Sequence, residues 1–204
     1  MVNIVLAFDE GDEEIGSFNQ GCKEDYEDFF SNSDYKNITY ITSQTLNSIN
    51  VQLKAEALLP FVFAAYSHGE NHRLFSKEGD YISSTINITS FKDSFFYTVS
   101  CHTGKQLGKE LVENGCKCYF GYKDLFTSWS GYKEFSDCAN FGFFKFLEGI
   151  STDEVFGQMI INYNQNIDNL YLNDFLQASL LRANRDGLIK LGENITIETL
   201  NSTL

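Results

Sequence analysis

The sequence predicts an α/β fold, a three-layer sandwich in which a mostly parallel central sheet carries helices on both faces. Three observations predict it: short β-branched and aromatic runs recur along the chain, amphipathic segments separate them, and 204 residues is the length of one ordinary domain. A chain of this size buries roughly 70% of the surface its unfolded form exposes, so it needs no disulfide or metal to fold. With no internal repeat and no low-complexity linker, residues 1–204 are expected to form a single domain. The 43% hydrophobic and 15% aromatic content, including 19 Phe, points to a core filled with rings.

The elements follow in order. "VNIVLAF" (2–8) ends at an acidic turn and reads as a strand buried on both faces. "CKEDYEDFFSN" (22–32) reads as a helix and "NITYITS" (37–43) as the next strand. In "TLNSINVQLKAEAL" (45–58), helical spacing places Leu46, Ile49, Leu53 and Ala57 on one apolar face. After Pro60 comes a third apolar run, "FVFAAYSHGE" (61–70), and 71–90 reads as a hairpin excursion around a Glu-Gly-Asp turn. "SFFYTVSC" (94–101) is a strand, 104–115 a helix closed by Gly115, and "CKCYFGY" (116–122) a fifth strand. Residues 123–137 show no periodicity. Helices are expected over 138–149 and 151–167, the second capped by Ser151 or Thr152 with Glu154 behind it, and a last strand within "DGLIKLGENITIETL".

Composition narrows the function. A formal charge of −13, from 28 acidic and 15 basic residues, opposes nucleic acid and anionic membrane surfaces and favours a basic protein or peptide partner. No run of about 18 apolar residues occurs, so no transmembrane span is expected. The start "MVNIVLAFDE" has no positive n-region, and the five Cys are an odd number, so the thiols are read as reduced and the protein as cytoplasmic. The N-x-[ST] matches at Asn37, Asn87, Asn194 and Asn201 are then chance. "CKC" places Cys116 and Cys118 on one strand face, but a structural zinc needs two C-x(2–4)-C pairs, so they read as core cysteines and no metal is expected. Neither G-x-G-x-x-G nor G-x-x-x-x-G-K-[ST] occurs, so no nucleotide cofactor is expected.

In an open parallel sheet the functional crevice lies beyond the carboxyl ends of the strands. Asp9, His68, Cys101 and the Lys123-Asp124 pair all fall there. A cysteine is a strong nucleophile only as a thiolate, and a nearby imidazole supplies that by taking the proton and later returning it to a leaving amine. Cys101 and His68, on consecutive strands, meet that need if those strands are neighbours. Gly69 leaves the backbone uncrowded, so its N–H can join that of Cys101 as an oxyanion hole. His102, adjacent to Cys101, points to the opposite face and reads as a turn-ordering residue, and His72 reads as exposed.

"YSHGE" followed by "VSCHTGKQLGKELVENGCKCYFGYKD" resembles the caspase-like cysteine peptidases, the group containing metacaspases, clostripain, gingipain, separase and the bacterial CHAT domains. Those proteins carry His-Gly after one strand and Cys after the next, then a helix of the form LGxxLxxxG. "NFGFFKFLEGISTDEVFGQMI" (140–160) is similar to the helix pair that follows in CHAT domains. The resemblance implies a cysteine endopeptidase with His68 as general base, Cys101 as nucleophile and the amides of Gly69 and Cys101 as oxyanion hole, acting through a thioester without a cofactor. It also implies control by a regulatory protein partner, and a place in bacterial defence or regulated proteolysis. The alternative is a catalytically silent scaffold of the same fold.

The chain departs from the pattern in two places. The caspase signature Q-A-C-[RQG]-G is replaced by Val99-Ser100-Cys101-His102-Thr103-Gly104. Where clostripain-like and metacaspase relatives often carry an Asp that reads a basic P1 side chain, this chain has Val99. Asp9, in the acidic stretch "DEGDEE" (9–14), is then the candidate for P1 Lys or Arg, with Val99 and Ser100 completing the substrate-binding set.

Overall fold

The computed structural model describes residues 2–202. Its central sheet is built from β1 (Asn3–Phe8), β2 (Ile38–Thr42), β3 (Phe61–Tyr66), β7 (Phe95–Val99), β8 (Cys118–Tyr122) and β9 (Leu188–Gly192), in the order β2-β1-β3-β7-β8-β9. All neighbours are parallel except β9, which runs antiparallel to β8. A second, antiparallel sheet holds β4 (His68–Glu70), β5 (Arg73–Ser76) and β6 (Gly79–Ser83). The helices are α1 (Gly16–Ser31), α2 (Ser48–Ala57), α3 (Leu107–Glu113), α4 (Lys133–Leu147), α5 (Thr152–Tyr171), α6 (Phe175–Gly187) and α7 (Ile197–Asn201).

Strand side chains alternate between two cores. Ile4, Leu6, Phe8, Val62, Ala64, Tyr66, Phe95 and Tyr97 face α1, α4 and α5, whereas Val5, Ala7, Phe61, Phe63, Ala65 and Phe96 face α2, α3 and the small sheet. Burial on both faces is why these strands read as unbroken apolar runs, and the three layers match the caspase-like sandwich. Seven tyrosines are fully buried, and each hydroxyl has a partner, since an unpaired one costs about 1–3 kcal/mol. Tyr26 bonds Tyr66, Tyr97 donates to the Ala139 carbonyl, Tyr122 bonds Tyr163, Tyr119 donates to Thr103 and Tyr81 bonds Ser67. The last two pairs brace the residues beside Cys101 and His68.

Several sequence expectations are corrected. The first helix starts at Gly16, ahead of the expected 22, because tertiary burial of Phe18 and Asn19 overrides the weak propensity of "GSFNQG". α2 buries Val51 and Ala55 rather than the expected stripe, leaving Ile49 71% and Leu53 60% exposed, while Leu46 reaches the core from before the helix. The third apolar run breaks at Ser67, and His68 opens β4 of the small sheet instead of closing β3. Cys116 and Cys118 sit in opposite cores, because the strand begins only at Cys118. α4 starts at Lys133 and not at 138, and α6 and α7 lie where no helix was expected.

The N-terminus of α5 takes its cap from a distant segment rather than from Ser151 or Thr152. The Asp153 N–H donates to the Asn194 side chain at 3.0 Å, and Thr152 Oγ1 accepts from the Ile195 N–H at 3.0 Å. α3 ends as expected at Gly115, in the left-handed region at φ +96°, with the Cys116 and Gly115 N–H groups closing back on Leu111 and Val112. No helix among the described residues is long and apolar enough to cross a membrane.

Candidate active site

β3 and β7 are paired and parallel, with Tyr66 opposite Val99, so the chain leaves both strands at the same edge of the sheet. His68 follows the first and Cys101 the second, and both line one cleft. The rest of its wall comes from Ile15, Phe18 and Asn19 around the start of α1, from Ser67, from Val99 and Ser100, and from Phe126 and Ser128 of the loop after β8.

Gly69 is what lets the two halves meet. A Cβ on it would lie 2.7 Å from the Cys101 carbonyl oxygen, 2.8 Å from Thr103 Cγ2 and 2.9 Å from Ser100 Cβ. Any other residue there would force the His68 strand away from the Cys101 turn. The close approach, rather than an unusual φ, is the reason for glycine.

His68 is held from two sides. Its Nε2 lies 3.2 Å from Asp12 Oδ2, and its ring stacks on Phe75 with centroids 5.5 Å apart. With Nε2–H donating to the carboxylate, Nδ1 is the nitrogen left to accept a proton. Asp12 is itself fixed by the entry into α1, accepting from the N–H groups of Glu14 and Ile15 at 2.8 and 2.9 Å. Burial pushes its carboxyl up, but these two N–H donors and His68 outweigh that and hold it below the usual carboxylate range.

Cys101 is held differently. Its Sγ accepts from the Phe126 N–H at 3.4 Å and faces the Phe126 carbonyl at 3.6 Å. Burial pushes the thiol above its ordinary value, and the Phe126 N–H opposes this only in part. The Phe126 ring packs on Tyr122 at 4.7 Å and Phe18 at 5.9 Å. The neighbouring Thr127 is clamped by the fully buried Asn184 of α6, which accepts from its N–H at 2.8 Å and donates to its carbonyl at 2.7 Å. The Cys101 N–H has no acceptor among the described residues.

The turn after Cys101 is left-handed at His102, at φ +61°. There the His102 N–H donates to the Asp124 carbonyl at 3.0 Å and its Nδ1 lies 3.2 Å from Lys105 Nζ, so the residue orders the turn. The Lys123-Asp124 pair braces this turn instead of lining the cleft. His72 is exposed.

Asp9 lies outside the cleft. It is 2% exposed, with Oδ1 accepting from Ser43 Oγ at 2.8 Å and burial pushing its carboxyl above the usual range. That position removes the geometric basis for its reading of a P1 side chain in the Cys101 cleft. Val99 and Ser100 do line the cleft, and the Ser100 hydroxyl accepts from Thr98 at 2.9 Å.

Three residues of this arrangement were not singled out from the sequence. Asp12 carries a usable signal, an acidic residue just before a helix start, but a first helix expected from 22 hides it. Phe126 and Asn184 carried none, since one sits in an aperiodic loop and the other is a lone amide in a polar helix.

No family model matches the chain, and no curated protein matches it. Among solved structures it is similar to the separase–securin complex of Saccharomyces cerevisiae, with a TM-score of 0.61 and 12% identity over 96% of this chain. The match spans 12% of that chain. The likeness is one of fold.

Proposed function

We propose that the chain is a cysteine endopeptidase in which Cys101 is the nucleophile and His68 the general base. The observation that carries this reading is the shared cleft at the carboxyl ends of two paired parallel strands, with Gly69 bare enough for the two segments to touch. The thiol proton passes to the imidazole, and the thiolate attacks the scissile carbonyl to give a tetrahedral oxyanion. The amides of Cys101 and Gly69 are its proposed donors. The imidazolium then protonates the leaving amine, and water, deprotonated by the neutral imidazole, hydrolyses the thioester and restores the thiol. No cofactor takes part, and the substrate is a protein or peptide.

Control by a protein partner belongs to the same proposal. At rest the sulfur is engaged by the Phe126 backbone and burial favours its protonated form, so the chain alone is expected to be slow and a partner that moves the 123–132 loop would speed it. The yeast separase of the similar structure is itself bound to securin. The same resting contact favours a second reading, a silent scaffold of this fold.

Mass spectrometry of new protein N-termini separates the two. The chain, incubated with an unfolded protein mixture, should generate N-termini that vanish with Cys101→Ala and with His68→Ala. Identical products from all three proteins would leave only the scaffold.

A further inference from the structure

His68 walls two clefts, and they differ in charge. The one shared with Cys101 holds no Asp, Glu, Lys or Arg, being lined beside His68 by Ile15, Phe18, Val99 and Phe126 with the uncharged Asn19 and Ser128. The other lies between the acidic loop and the small sheet, lined by Asp12, Glu13, Glu14, Phe75 and Lys77. Glu13 and Glu14 are exposed and make no ion pair among the described residues. This second cleft continues through Gly11, Ser76 and Lys77 into a recess lined by Asp9, Ser43 and Glu78. There Asp9 Oδ2 is buried without a hydrogen-bond partner among the described residues. A buried carboxylate oxygen left unpaired costs free energy that a donor or cation entering the recess would recover.

The chemistry fixes which cleft takes which part of a peptide. The acyl half of the scissile bond becomes attached to Cys101, so its side chain occupies the neutral cleft. The amine receives its proton from His68, so the residues after the bond start beside the imidazole, which also walls the acidic cleft of Asp12, Glu13 and Glu14.

We propose, resting on the peptidase reading, that the substrate carries an uncharged side chain before the scissile bond and lysine or arginine after it. The acidic cleft and the Asp9 recess recognise the basic residues.

The test follows protection of Cys101 from iodoacetamide in the full chain, using short peptides that differ only around one Ala-Xaa bond. Ala-Lys-Lys peptides should protect at about fivefold lower concentration, or better, than Ala-Glu-Glu peptides, because exposed charge pairs are individually weak. They should also outperform peptides with Lys or Asp in place of that Ala. In E13Q/E14Q, whose thermal unfolding reports on folding, the Lys-over-Glu ratio should fall to about twofold or less. Equal protection by Lys and Glu peptides, or stronger protection by a charged P1, overturns this inference and leaves the peptidase intact. Protection by none of the peptides likewise overturns this inference, and the peptidase reading is decided apart from it by the new N-termini.

Discussion

The two sides of the cleft are held by opposite kinds of interaction. His68 is framed by a carboxylate and an aromatic ring, a setting that compensates the positive charge created when an imidazole accepts a proton. Cys101 is framed by a neutral backbone group in a loop pinned by Asn184, a setting in which burial favours the uncharged thiol. The difference teaches where resistance to catalysis lies. On the proposed mechanism the imidazole is oriented at rest, whereas the sulfur is held back by its contact with the 123–132 loop.

The largest expected effect comes from breaking both sides at once. Gly69→Ala introduces a methyl group where the Cys101 carbonyl, Thr103 and Ser100 leave no room. Peptide cleavage should fall by about 100-fold, the cost of a misplacement near 1 Å, and stability by about 1–3 kcal/mol. Cleavage kinetics beside a thermal melt would check both, and unchanged kinetics would mean that the two segments do not need their close approach.

Next comes the thiol side alone. Asn184→Ala leaves the half-buried Thr127 N–H and carbonyl without their partner, which should cost about 1–3 kcal/mol in denaturant unfolding. The loosened loop should expose Cys101, so its alkylation should speed up and its titration should move down toward the ordinary thiol range. The wild-type rate should still be rising above pH 9, because burial raises the thiol from its ordinary 9.0.

The histidine side responds to Asp12→Asn, which keeps the shape and removes the charge. We expect about a tenfold loss in kcat with little change in KM, as for other groups that orient a catalytic residue. Because the folded Asp12 carboxyl titrates below its ordinary 3.8, its contribution to stability is present at neutral pH and lost as pH falls through that lowered value. The stability gap between wild type and variant should therefore close in strong acid, and a constant gap down to pH 2 would contradict the assignment.

The smallest effect is expected at His102. Glycine relieves a positive φ, so His102→Gly should raise stability by up to about 1 kcal/mol and leave Cys101 reactivity within a factor of two. A large loss of activity would give His102 a chemical role.

The same contrast explains what the sequence revealed. The sheet was legible because strands buried on both faces leave unbroken runs such as "VNIVLAF" and "FVFAAY", and sheet neighbours then deliver His68 and Cys101 to one edge. The helical layers were harder to read, since α1 opens with glycine, serine and asparagine and α6 carries exposed Phe175 and Leu176 that blur its periodicity. Contacts across long sequence distances left no trace at all. Asn194 caps α5 and Asn184 pins the loop over Cys101, and neither amide has a local pattern that announces its partner.

Alkylation of Cys101 across pH, with and without His68, tests the shared proton most directly. Relative speed against the other four thiols decides little, because Cys22, Cys116, Cys118 and Cys138 are all buried while Cys101 is not. At neutral pH, His68→Ala should slow Cys101 alkylation by about tenfold or more, and the two profiles should converge at high pH, where the thiol ionises unaided. Superimposable profiles from pH 6 upward would show that the imidazole takes no proton from the sulfur, and the dyad would not exist.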